Sequence, residues 1–279
     1  MSHPTSTPAE NSLEPDQGWH CSHFFYRFDR GGLARLSADQ LAAGRDQLIA
    51  TLDPAGEGAC QRLQTSLVSG HKADFGLMLM DENPLKVEGV HQALLSGKLG
   101  PAMVPTYSFV SMTEISEYVP SIEQYTQRLL SEGETAGSPS FSAKVKAYEA
   151  RLPAMNRQRL TPEFPSWPAT CFHPMNKSRV VGANWFTQPF SARNKLMAEH
   201  ARSGMAFAGK VSQLITTAVG LEDWEWGVTL WGRNPQFLKE IVYRMRFDRA
   251  SAEYAEFGTF YTSYVMSPGA MLDHCRVGT

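Results

Sequence analysis

A stretch of this chain occurs twice. Asp74-Phe75-Gly76-Leu77-Met78-Leu79-Met80-Asp81-Glu82-Asn83-Pro84 lines up with Glu225-Trp226-Gly227-Val228-Thr229-Leu230-Trp231-Gly232-Arg233-Asn234-Pro235. Both read acid, aromatic, Gly, aliphatic, any residue, Leu, large apolar, two variable positions, Asn-Pro. A short apolar run closed by Asn-Pro predicts a strand, a turn and a helix start. Helix-like stretches follow at 85–95 and 236–245. One chain therefore carries two copies of one α+β module.

The rest of the pattern fills out each copy. Trp19 to Asp29 reads as a half-buried strand ended by Gly31-Gly32. Ser37 and Gln40 stand at the two positions of a capping box and predict a helix to about Leu52. Strands are expected over 61–69, 74–80 and 107–118. The order β-α-β-β-α-β is ferredoxin-like. In the second copy, strands are expected over 169–173, 180–187, 211–219 and 225–231, with helices over 191–207 and 236–245, and residues 244–260 close it. The fold class is α+β, with two ferredoxin-like modules pairing their sheets as a barrel. The expected division is a disordered tail (1–18), an N-terminal structural module (19–130), a linker and loop (131–168) and a C-terminal module (169–270). Gly, Ser and Pro dominate 131–144, and a second run of loop signals extends from Pro153 to Pro168.

Composition excludes some functions. With 42% hydrophobic residues, 279 positions suffice for a substantial core. A net charge of −2 supplies no footprint for nucleic acid or an anionic membrane. No apolar run approaches the ~20 residues that span a bilayer. Met1 to Gln17 lacks the basic start and apolar core of a secretory signal. Cysteines at 21, 60, 171 and 275 form no CxxC pair, which fits a reducing cytoplasm. His20-Cys21-Ser22-His23 is set aside as a metal site on the expectation that Cys21 faces away from both histidines.

Three groups carry candidate chemistry. His200 shares a helix face with Leu196, Met197, Gly204 and Phe207. It is either a hydrogen-bonded core histidine or an axial ligand of the kind that holds haem iron, with small Ala201 and Gly204 admitting a flat group. In Cys171-Phe172-His173-Pro174-Met175-Asn176-Lys177, alternation puts His173, Met175 and Lys177 on one face. The plainer reading is a strand end with a proline kink. Arg157, Arg159, Arg244 and Arg246 are candidates for holding carboxylates.

Taken together, these segments resemble the chlorite-dismutase-like family, in its coproheme-decarboxylating, haem-synthesis branch. The marks are Cys-Phe-His-Pro-Met-Asn-Lys-Ser-Arg (171–179), Asn184-Trp185-Phe186, Leu196-Met197-Ala198-Glu199-His200, Gln213-Leu214-Ile215, Gly220 to Val228, Met245-Arg246-Phe247-Asp248 and Ser251-Ala252. Gly70-His71-Lys72-Ala73-Asp74 adds one from the first half. The resemblance covers about 19–265. It implies His200 as the iron ligand and Gln213 above the iron. It implies that Arg159, the segment His173, Pro174, Met175, Asn176 and Lys177, and Trp185, Arg246 and Ser251 bind the substrate. The implied reaction is the peroxide-dependent conversion of two propionates of iron-coproporphyrin III (coproheme) to vinyls, giving haem b, by a cytoplasmic homopentamer with a transient contact to ferrochelatase.

Gln213 separates branches of the family. Chlorite dismutases proper carry arginine there, and an uncharged amide cannot supply its cation. Many decarboxylases have tyrosine where this chain has His173. Histidine moves protons near neutral pH more readily than it forms a radical. His173 and Lys177 are accordingly the expected catalytic pair, His173 taking a proton and Lys177 holding the propionate or assisting the transfer. Ala201 replaces a common glycine beside the ligand. A haem-binding or haem-transfer protein without catalysis, and a peroxidase-like or chlorite-degrading enzyme, are the alternatives.

Overall fold

A computed structural model describes residues 11–278. Residues 1–10 of the expected tail lie outside them. The first module runs β1 (His20–Phe28), α1 (Arg30–Ala34), α2 (Ala38–Thr51), β2 (Arg62–Val68), β3 (Phe75–Asp81), α3 (Pro84–Ser96) and β4 (Met103–Met112). Two helices, α4 (Ile122–Ser131) and α5 (Pro139–Leu160), lead to the second module. That module contains β5 (Ala169–Lys177), the small hairpin β6 (Arg179–Val180) and β7 (Ala183–Asn184), α6 (Phe190–Met205), β8 (Val211–Thr217), β9 (Trp226–Gly232), α7 (Pro235–Met245), α8 (Arg249–Ala252), β10 (Ala255–Phe257) and β11 (Tyr261–Val265). A last helix, α9 (Pro268–His274), follows.

Within the first module the strands lie β2-β3-β1-β4, and within the second β8-β9-β5-β11. Both are the ferredoxin-like arrangement of second, third, first and fourth strands. The modules join where β11 pairs β2 and where β4 meets β8 at Met112 and Thr217, so one sheet closes into a barrel.

The repeat has a physical cause in each copy. Asn83 and Asn234 cap α3 and α7, each accepting a backbone N–H, with proline at the first helical position where no partner is needed. Gly76 and Gly227 lie under aromatic rings inside the barrel. A Cβ on Gly76 would meet Phe25 at 2.8 Å, and one on Gly227 would meet Phe109 at 2.6 Å. The repeated glycine is the space that a ring from a neighbouring strand fills.

Helices cover the outside of the barrel. Leu48, Leu52, Val87, Leu94, Met271 and Leu272 from α2, α3 and α9 pack on Phe24, Tyr26, Phe75, Leu77 and Leu79. In the second module, Leu238 and Ile241 of α7 pack on Cys171, Val211, Val228 and Leu230. The capping box of Ser37 and Gln40 is present.

Several expectations are corrected. The expected linker and loop from 131 to 168 contains α5, whose apolar stripe Phe141, Val145, Tyr148 and Leu152 packs on Tyr125 and Leu129 of α4. Pro153 lies inside that helix. The strand expected over 107–118 ends at Met112. The one expected over 180–187 is a two-residue hairpin and a helical turn. The closing strand is β11, beyond the expected limit at 260. Residues two apart on a strand share a face, so Cys21 and His23 both point into the barrel, with Cys21 among Met78, Met80, Leu214 and Trp231. Of the two histidines, His20 alone faces outward, bonded to the Leu13 carbonyl.

Candidate functional site

Three elements of the second module converge outside the barrel: the end of β5, the middle of α6, and α8. Along α6, Leu196 and Met197 pack with Trp185, Ala250 and Tyr254. One turn beyond His200, the helix meets the barrel wall at Gly204. A Cβ there would lie 2.8 Å from Gln213 Nε2, so glycine lets the helix approach the outer face of β8. That face is not fully covered: Gln213 is exposed and Ile215 keeps 45% of its surface. An uncovered apolar sheet face beside a helix carrying a histidine can receive a flat, largely apolar molecule.

His200 has a defined partner. Its Nδ1 lies 3.0 Å from Asp248 Oδ2, and its side chain keeps 29% exposure against 2% for Asp248. Asp248 also caps α8, its Oδ1 accepting from Ser251 N at 3.0 Å. Ser251 Oγ stands 3.4 Å from His200 Nδ1. Burial pushes the Asp248 carboxyl up, but the His200 hydrogen bond and charge and the Ser251 bonds outweigh it, leaving the pKa lowered. With Nδ1–H donated to Asp248, the free lone pair of His200 is on Nε2. A carboxylate fixing a histidine through its other nitrogen is the usual support of a metal ligand.

Lys177 hangs from the same short helix. Its Nζ donates to the Ala250 carbonyl at 3.1 Å and sits 4.4 Å above the Trp185 ring, which meets Tyr254 edge-on at 5.3 Å. Burial lowers its pKa to about 8, against the opposing pull of Asp248. His173, 3% exposed, stacks on Phe260 at 4.1 Å and meets Phe257 at 5.6 Å. Arg246 lies 4.4 Å over Phe257. Burial first, and then the Arg246 charge, lower the His173 pKa to about 4. Its Nδ1 is buried with no hydrogen-bond partner among the described residues.

Alternation splits the 173–177 run. His173, Met175 and Lys177 face outward, Met175 packing with the cluster under α7. Pro174 and Asn176 face the other way. Pro174 lies against Gly258, and Asn176 Oδ1 accepts from Glu225 N at 2.7 Å. These two can offer a ligand only backbone atoms. Arg159 stands apart near the end of α5, half-buried, and burial lowers its pKa against a smaller opposing influence of Tyr148. Arg157 and Arg244 are exposed. Asp248 was not singled out from sequence, although Asp-Arg-Ala-Ser (248–251) has the pattern of a helix cap. Phe257 and Phe260 carry no such signal.

Two ferredoxin-like modules thus close into one α+β barrel that carries a carboxylate-backed histidine on an outer helix. The chain belongs to the chlorite dismutase family, whose model matches residues 41–266. It is 33% identical over 264 residues to a coproheme decarboxylase of Oceanobacillus iheyensis, covering 93% of this chain and 96% of that protein. A haem-binding protein from Thermus thermophilus superposes with a TM-score of 0.76 at 28% identity, covering 94% and 96% of the two chains. A chlorite dismutase variant from Candidatus Nitrospira defluvii superposes with a TM-score of 0.71 at 14% identity over 95% and 98%, a likeness of fold.

Proposed function

We propose that this chain decarboxylates iron-coproporphyrin III to haem b with hydrogen peroxide. The carrying observation is that one four-residue helix holds both ends of the site. Asp248 at its start fixes His200, and the Ala250 carbonyl within it holds Lys177. The donor set fits a porphyrin iron: His200 offers Nε2, and Lys177 and Arg246 offer cations to propionates. An iron held in the porphyrin would let peroxide act as the oxidant, two electrons for each propionate. Each propionate loses carbon dioxide, one proton and two electrons to become a vinyl. Peroxide takes the two electrons with two protons and leaves as two waters.

The protein's own groups do the rest. Lys177 pairs with the reacting carboxylate, while Trp185 and the Ala250 carbonyl fix where the ammonium sits. His173 receives the lost proton at its unpartnered Nδ1. Its pKa of about 4 makes it a weak base in the free protein. A carboxylate against Arg246 offsets the guanidinium charge, the smaller of the two causes, and so makes His173 a stronger base when substrate is bound. Met175 and the outer face of β8 contact the macrocycle. Gln213, exposed on the outer face of β8, would present a neutral amide to a bound porphyrin, which disfavours chlorite. Pro174 and Asn176 act through backbone, Ser251 supports the axial histidine, and Arg159 is left a propionate contact only from the side of α5. The C-terminal module is the porphyrin-holding half and the N-terminal module the structural half. Assembly as a homopentamer, a cytoplasmic location and a transient contact with ferrochelatase complete the proposal. The coproheme decarboxylase of Oceanobacillus iheyensis supports the decarboxylation itself.

The test is to titrate peroxide into the protein loaded with iron-coproporphyrin III and follow the porphyrin mass. Loss of two carboxyl groups is the expected outcome; bleaching without a vinyl product overturns the assignment. His173→Ala keeps porphyrin binding and blocks turnover, and full activity in it refutes the catalytic role. A second reading, non-catalytic haem binding or transfer, is favoured by one observation: residue 173 has no phenol. Stable haem binding with no mass change would establish it.

A further inference from the structure

The barrel interior is aromatic at one level and polar at another. Phe25, Phe109, Phe172 and Tyr261 form the apolar layer. Beside it lies a cavity of about 20 Å³, lined on one side by His23, Gln64 and Ser66 of the first module and on the other by Thr170, Thr229 and Ser263 of the second. His23 is the one ionisable side chain in this lining. It is 2% exposed, its ring stacks on Phe172 at 4.0 Å, and its Nε2 lies 2.9 Å from Thr229 Oγ1. Its Nδ1 is buried with no hydrogen-bond partner among the described residues. Leaving such a nitrogen unsatisfied costs on the order of 1–3 kcal/mol.

We infer that this cavity is a binding site for one internal water molecule, which bridges the two modules between His23 and the hydroxyls facing it. Size and charge select the occupant. One water needs roughly 10–15 Å³ of such space, and this cavity has about 20 Å³. No carboxylate lines it, so it offers nothing to balance a cation. Burial lowers the His23 pKa to about 3, so the ring is neutral and does not call for an anion. Water alone can either donate to Nδ1 or accept from it, so it suits both imidazole tautomers. The inference does not depend on the proposed activity.

The site is tested on the full, unaltered chain, with or without porphyrin, by a crystal structure fine enough to place ordered solvent. The expected result is one density peak in the cavity, within about 3.2 Å of at least two of the named side chains, His23 included. No peak, or a peak coordinated as a metal ion, overturns the inference. In solution, oxygen-17 relaxation dispersion on the wild type and on a His23→Phe variant, which removes the partner the site requires, provides the second measurement. One fewer long-lived internal water is expected in the variant, and an unchanged count also overturns it.

Discussion

At the scale of single residues, the site turns on how Asp248 is used. It is almost fully buried, yet its two oxygens are committed to His200 Nδ1 and to the cap of α8. Replacing Asp248 by Asn keeps the shape and removes the charge that orients the imidazole. Porphyrin retention is expected to fall about 10- to 100-fold, the usual cost of losing such a partner. The rate of haem transfer to an apo-globin measures it, and an unchanged rate would remove Asp248 from the ligand's support. His200 was legible from its place on an apolar helix face and from family resemblance. Asp248 was not, because 48 residues separate it from the histidine and only folding brings them together. Arg159 shows the converse: its residue type suits a carboxylate, but no contact in the structure ties it to His173, Lys177 or His200.

At the scale of elements, the repeated strands show what local pattern conveys. The Asn-Pro caps and the Ser37 box need only neighbouring residues, so the starts of α2, α3 and α7 could be read directly. The glycines at 76 and 227 report instead on rings that arrive from other strands. Gly227→Ala places a Cβ 2.6 Å from Phe109 and 2.9 Å from Thr216 Oγ1 in a filled interior. It is expected to destabilise the fold by about 1–3 kcal/mol, the range for overpacking. Urea denaturation checks this, and a midpoint within error of wild type refutes it. Helix α5 was missed for the opposite reason. Its Gly-Ser-Pro start (137–139) and internal Pro153 read as loop, while its stability comes from a stripe spaced 141, 145, 148 and 152 against α4. Packing on a partner outweighs weak local propensity.

For the whole molecule, two buried neutral histidines link stability to pH. His23 and His173 have folded pKa values near 3 and 4, below the ordinary value of 6.5. The stability this brings is fully present above 6.5 and is lost as pH falls toward those folded values, because the unfolded chain takes up protons that the folded one refuses. Each histidine should withdraw about 1.4 kcal/mol per pH unit in that window. Urea denaturation at pH 7 and pH 5 should therefore differ by roughly 4 kcal/mol from this pair, and His23→Phe should remove about half the difference. Equal stability at both values would show that neither histidine is buried neutral.

By itself, the sequence determined that one α+β module occurs twice, where most strands and the capped helices α2, α3 and α7 begin, and which residue types could bind iron and carboxylates. These follow from periodicity and capping, which act over a few residues. The tertiary structure decided how the modules close, which face of β5 meets α6, and that His200 of α6 and Lys177 of β5 both bond to α8, through its cap Asp248 and its Ala250 carbonyl. It also put Cys21 and His23 together inside the barrel. Those outcomes depend on contacts between strands and helices far apart in the chain, where side-chain volume and burial, rather than local pattern, select the arrangement.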